Sequence, residues 1–180
     1  MKGIVFTEFF DLVEHLFGAN MVDDIIDDAA VPSGGAYTAV GTYHHDEMVS
    51  LVTALSKRSN LPVPTLIHAF GKHLFGRFST LYPVFFEGIT DAYDFLERIE
   101  SIVHVEVLKL YPDAQLPRFE TERSGDNLTM IYRSPRHFAD LAAGLIDGCI
   151  AHYGGGITIE RMDHTVEEGS LVHFRLQRTP

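Results

Sequence analysis

Tryptophan is absent from these 180 residues, cysteine occurs once, and basic side chains are scarce. Each shortage excludes something. With Cys149 alone, the chain can form neither an intrachain disulfide nor a zinc site that needs two or more thiolates, and it suits a reducing cytoplasm. A small buried core residue is the ordinary role of such a cysteine. Lys and Arg number 14 against 25 Asp and Glu, a formal charge of −11 with no long basic run. That sign repels a phosphate backbone, so nucleic acid is not an expected partner. No apolar stretch approaches the ~18 residues of a membrane span. The amino end lacks the basic segment, apolar run and cleavage site of a secretory signal. Membrane insertion and export are therefore not expected, and the cytoplasm is.

What is present suits a single domain over 1–180, because 46% hydrophobic and 22% charged residues at this length can fill one sizeable core. Phe6, Phe9, Val13 and Phe17 recur at helical spacing up to Gly18, and a second helix is expected from Met21 to Ala29. A third begins after Asp46, read as its N-cap, and a fourth runs from Leu66 to Phe78. From Asp91 to Leu110 apolar positions keep helical spacing for about five turns. The texture changes after Pro112. Arg118–Arg123 and Leu128–Arg133 alternate around Ser124-Gly125-Asp126, a hairpin signal. A helix from His137 to Tyr153 ends at three glycines, and Ile157–Met162 with Leu171–Leu176 form a second hairpin. The order predicts an α+β fold: amino-terminal helices, then a four-stranded antiparallel sheet with an inserted helix.

Ten histidines invite a metal reading, which spacing limits. His44-His45-Asp46-Glu47 reads as a solvated helix start, and His68 and His73 are rotated by about 500° and face different ways. His152, His164 and His173 read as surface or locally bonded. His104 differs, since Leu108 and Tyr111 place it on a largely apolar helical stripe. It is either a hydrogen-bonded core histidine or the single protein ligand of a haem, whose in-plane bonds come from the porphyrin. In Tyr132-Arg133-Ser134-Pro135-Arg136, alternation turns a phenol, a hydroxyl and a guanidinium toward one face. Those donors suit an anion with several oxygens, although a structural Tyr beside a surface Arg has the same spacing.

Taken together, these features resemble the haem nitric oxide/oxygen binding (H-NOX) domain, the bacterial relative of the haem domain of soluble guanylate cyclase. The likeness runs through Met1-Lys2-Gly3-Ile4-Val5, Gly18, Ala69-Phe70-Gly71, Phe78, Tyr82-Pro83, His104, Pro117 and the Tyr-x-Ser-x-Arg signature at Tyr132, Ser134 and Arg136. It implies haem b, with His104 on the iron, the three signature residues on the propionates, and Pro117 pressing the macrocycle from planarity. It implies a distal pocket of Val5, Phe9, Phe75, Phe78, Leu141 and Leu145. Oxygen-binding relatives carry a distal tyrosine where this chain has Leu141, so the resemblance implies binding of nitric oxide and carbon monoxide with exclusion of dioxygen. Relatives with several late cysteines bind structural zinc, which Cys149 alone does not support. Output is expected to pass to a separate histidine kinase or diguanylate cyclase/phosphodiesterase. Other readings are a haem enzyme of peroxidase or nitric oxide dioxygenase type, and a haem-free module that binds an organic carboxylate through Arg136.

Overall fold

The computed structural model describes residues 1–179. Four amino-terminal helices, α1 (Gly3–Phe17), α2 (Ala19–Ala29), α3 (His45–Ser59) and α4 (Val63–Leu81), enclose an aromatic-rich core. Phe6 and Phe9 from α1, Ile25 from α2, Leu51 and Leu55 from α3, and Phe70 and Leu74 from α4 are all buried there. Removing such side chains from water is the main force that holds four short helices together. At α3, the helix starts one residue before Asp46. His44 is the cap, its Nδ1 accepting the Asp46 N–H at 3.5 Å, and Asp46 lies in the first turn, where a carboxylate complements the helix dipole.

The long helix expected from Asp91 to Leu110 is three pieces. Asp91 caps α5 (Ala92–Glu97), a π-helical turn spans Ile99–Val103, and α6 (His104–Leu110) completes the run. The Arg98 carbonyl accepts the N–H of Ile102 at 2.9 Å and of Val103 at 3.2 Å, so the ring widens just before His104. Such widened turns concentrate at functional sites because they re-aim side chains without ending the helix. The apolar spacing carries no sign of this break.

Strands β1 (Arg118–Ser124), β2 (Asn127–Ser134), β3 (Ile157–His164) and β4 (Ser170–Arg178) form one antiparallel sheet in the order β1-β2-β4-β3. Helix α7 (Ala139–Tyr153) lies between β2 and β3 in sequence. Leu128, Met130 and Tyr132 on β2 and Val172, Phe174 and Leu176 on β4 alternate inward, burying one face of the sheet in a second core with α5 and α7. Cys149 is fully buried there, and its thiol pKa is pushed far up by burial. The architecture is the α+β arrangement expected.

Helices α4 and α7 join the two cores. Phe70 and Leu74 belong to the first, Phe75 to the second, and Leu145 packs against both. Their backbones approach so closely at Gly71 and Gly144 that a Cβ on Gly144 would lie 2.0 Å from the His68 carbonyl oxygen. Only glycine leaves room for that approach. No helix among the described residues is long and apolar enough to cross a membrane.

Candidate functional site

A cavity of about 710 Å3 opens between the two cores, a size typical of small-molecule and cofactor sites. Its walls come from α1 (Ile4, Val5), α4 (Leu74, Phe75, Phe78), α7 (Leu141, Ala142, Leu145, Ile146), and the segment from Ile99 to Phe119. Most of that lining is apolar. Helix spacing explains the set, since Leu141, Leu145 and Ala142 lie within about one turn of one another, as do Leu74, Phe75 and Phe78.

His104 stands in this wall with 14% of its side chain exposed. Its Nδ1 lies 3.1 Å from Glu100 Oε2, and the same oxygen accepts the Phe119 N–H at 3.1 Å. A carboxylate can only accept here, so Nδ1 carries the proton and Nε2 keeps the lone pair of the neutral ring. Burial lowers the His104 pKa, an effect that outweighs the opposing pull of Glu100. That direction favours the neutral ring that a metal ligand must present. The helical face around it is the expected one at Tyr111 but not at Leu108: Leu108 is 42% exposed, while Val107 and Tyr111 share the cavity with His104. Along this helix the third and seventh residues on stand about 60° and 20° to one side of His104 and the fourth about 40° to the other, so Val107 and Tyr111 share its wall while Leu108 turns to solvent.

The signature residues meet at the same chamber. Tyr132, Ser134 and Arg136 all line it. Tyr132 is 1% exposed; burial raises its pKa, while the Ser134 hydroxyl and the Arg136 charge oppose the rise. Ser134 Oγ accepts the Arg136 N–H at 3.1 Å, which leaves its hydroxyl hydrogen free to donate, and Ser170 Oγ donates to the Arg136 carbonyl at 3.3 Å. The Arg136 guanidinium donates to Gln115 Oε1 at 2.5 Å and, among the described residues, pairs with no carboxylate. An Arg so placed is available to a ligand's anionic group. Pro117, half-buried, lines the cavity immediately before β1.

Of the apolar positions expected at the site, Val5, Phe75, Phe78, Leu141 and Leu145 line the cavity. Phe9 does not. It is buried in the helical core with its ring 5.3 Å from that of Phe70, because four residues beyond Val5 the α1 stripe has passed behind the cavity wall. Sequence reasoning also missed participants. His45 lines the cavity, with burial and then the Arg136 charge lowering its pKa, whereas His44 is 68% exposed. Tyr82 brings a phenol to the lining, its ring 5.8 Å from that of Phe78. Glu100 was the most legible omission, since a carboxylate one turn before a candidate ligand is a recognisable pattern.

The other histidines serve locally. His68 pairs with Asp147 at 2.7 Å, His73 faces Glu8 at 3.9 Å, and His164 lies tilted against His173 with ring centroids 4.4 Å apart. His44, His45 and Asp46 bring ligand-type atoms within 4.8 Å of one another, yet His44 Nδ1 is already engaged as the cap that accepts the Asp46 N–H.

Comparison with known proteins agrees with this geometry. The family described as Haem-NO-binding (HNOB) matches residues 2–161. The H-NOX protein of K. algicida, solved in its unliganded Fe(II) form as an A71G mutant, is 38% identical with a TM-score of 0.90 over 100% of this chain and 97% of that one. The H-NOX of Shewanella woodyi, solved in the Fe(II)CO state with IWP-051 bound, is 39% identical with a TM-score of 0.85 over 100% and 95%. An S. oneidensis H-NOX in the Fe(II)NO state shares the fold at 24% identity, with a TM-score of 0.90 over the full length of both chains. No curated protein matches the chain. The match over nearly its whole length shows that this chain belongs to the Haem-NO-binding family, the H-NOX domains, which are haem-based gas sensors.

Proposed function

We propose that residues 1–180 act as one sensor unit that takes nitric oxide and carbon monoxide at a ferrous haem b and discriminates against dioxygen. One observation carries this reading: a single apolar cavity holds a neutral imidazole with one nitrogen still free and a guanidinium with no carboxylate partner among the described residues. A flat iron chelate with two carboxylates satisfies both groups at once. Cys149 lies outside the lining and donates to the Ala92 carbonyl, which favours a haem held without a thioether link.

When bound, haem supplies a ferrous iron with an open position for a diatomic gas. The chain does the rest. His104 would offer Nε2 to the iron, Tyr132, Ser134 and Arg136 would donate to the propionates, and Pro117 would bear on the macrocycle. Val5, Phe75, Phe78, Leu141 and Leu145 keep water out and present no donor to polar dioxygen. Phe9 supports that wall from the core behind it. With haem held, a gas that loosened the hold of His104 would free α6 to shift against the amino-terminal helices, a two-state element biased by its ligand. The Haem-NO-binding family match and the carbon monoxide state of the Shewanella woodyi H-NOX support the choice of gases.

The function is that of a sensor rather than an enzyme, read out in the cytoplasm by a separate histidine kinase or diguanylate cyclase/phosphodiesterase. The test is the anaerobic ferrous absorption spectrum of wild-type and His104→Gly protein, followed by nitric oxide and, separately, air. A Soret band that depends on His104, shifts with nitric oxide and forms no oxygen complex in air is expected. A stable oxygen complex overturns the selectivity, and its loss in Tyr82→Phe would identify Tyr82 as the donor. Addition of ferrous and nitric-oxide-treated protein to the partner tests signalling; equal regulation by both overturns it.

A further inference from the structure

We infer that Glu100 is the positioning residue for His104, holding its imidazole in one tautomer and orientation and strengthening Nε2 as an iron ligand. This rests on the reading that His104 binds iron, and it names a residue outside the haem-binding signature. Glu100 Oε2 stands 3.1 Å from His104 Nδ1 and 3.1 Å from the Phe119 N–H, so one carboxylate oxygen joins α6 to the start of β1. No other group among the described residues hydrogen-bonds the His104 side chain.

The backbone is arranged around this contact. The π-helical turn Ile99–Val103 ends where His104 begins, and it seats the Glu100 side chain between helix and strand. Phe119 itself lines the cavity, and its ring centroid lies 6.0 Å from that of His104. Rotation or withdrawal of the imidazole must therefore lengthen a charge-assisted hydrogen bond or pull on β1. A carboxylate accepting Nδ1–H also pushes electron density toward Nε2, which makes it the stronger donor. Glu100 is 46% exposed, so water screens part of this effect, and the hydrogen bond to Nδ1 rather than long-range charge is its main route. The balance between a held and a released His104 is thus set partly by a side chain that touches no ligand.

The experiment compares wild-type, Glu100→Gln and Glu100→Ala proteins, all loaded with haem and checked by circular dichroism. Gln keeps the shape and an accepting oxygen but removes the charge; Ala removes both. The primary readout is the iron–histidine stretching band in the resonance Raman spectrum of the ferrous unliganded protein. The second is the ratio of five- to six-coordinate nitric oxide adduct by absorption. The band is expected to fall in frequency from wild type to Gln to Ala, with the adduct ratio moving toward five-coordinate by about tenfold or more. An unchanged band and ratio in both variants overturns the role of Glu100 while leaving His104 as ligand. Absence of an iron–histidine band in haem-loaded wild-type protein overturns the His104 reading itself.

Discussion

Arg136 and Leu141 bear opposite halves of the proposed selectivity. A guanidinium whose only side-chain partner among the described residues is a neutral amide keeps its charge for the ligand, and the ST-type turn at Ser134 holds the backbone that presents it. Leu141 supplies the lack of a donor. Leu141→Tyr places a hydroxyl on a cavity-lining position of α7, where one neutral hydrogen bond is worth about 1 kcal/mol. The expected outcome is an oxygen affinity raised by roughly fivefold, read as an oxygen complex forming in air that the wild type lacks. An oxygen equilibrium curve that matches wild type would remove Leu141 from the selectivity argument. The histidine and the tripod were legible because their spacing is local. Phe9 was misplaced because spacing tells which side of α1 is apolar but not which part of that side meets empty space.

Helix packing decides the shape of the chamber. α4 and α7 touch backbone to backbone at Gly71 and Gly144, and side chains from both helices form its wall. Gly144→Ala brings a Cβ to 2.0 Å from a carbonyl oxygen, a clash that no rotamer relieves. Overpacking of this kind costs about 1–3 kcal/mol, so a lower thermal midpoint is expected, with weaker haem retention as the wall moves. Thermal melts of apo and loaded variant check both. The helix around His104 taught a complementary lesson. Its apolar period is continuous in sequence, yet the backbone widens at Arg98–Val103, where Glu100 meets both His104 and the Phe119 amide. Glu100 and Phe119 are 19 residues apart, beyond the reach of any periodicity argument.

The molecule as a whole is closed by pairs that join its parts. Asp91 caps α5 and binds Arg178 at the end of β4, tying the helix to the last strand. Burial pushes the Asp91 pKa up, but the Arg178 pair and the N–H groups of Tyr93 and Asp94 outweigh it, and the net shift is downward. The unfolded chain therefore takes up the proton first as pH falls below about 4. The stability contributed by Asp91 is complete above that pH and is lost as pH falls through the lower folded value. Asp91→Asn is expected to lower stability at pH 7 and to flatten the acid limb of a stability-versus-pH curve. Urea midpoints from pH 3 to 7 measure both; parallel curves would remove Asp91 from the acid response. The acidic surface charge adds a background of self-repulsion that both proteins share.

Element types and their order were written in local pattern. Alternation marked β2 and β4, helical spacing marked α1, α4 and α7, and the turn residues between them left only an α+β arrangement. The same locality exposed His104 and the Tyr132, Ser134 and Arg136 set, since each lies within one element or one turn. Through-space neighbours were settled only by the folded chain. Cavity volume depends on how α4, α7 and the sheet pack, and the tautomer of His104 depends on a carboxylate that also serves a strand. His45, read as part of a solvated helix start, reaches the cavity because α3 docks beside the signature loop. The physical reason is common to all of these. Backbone propensity and side-chain period act over one turn or one strand, whereas desolvation, close packing and hydrogen-bond partnership are properties of groups that folding alone brings together.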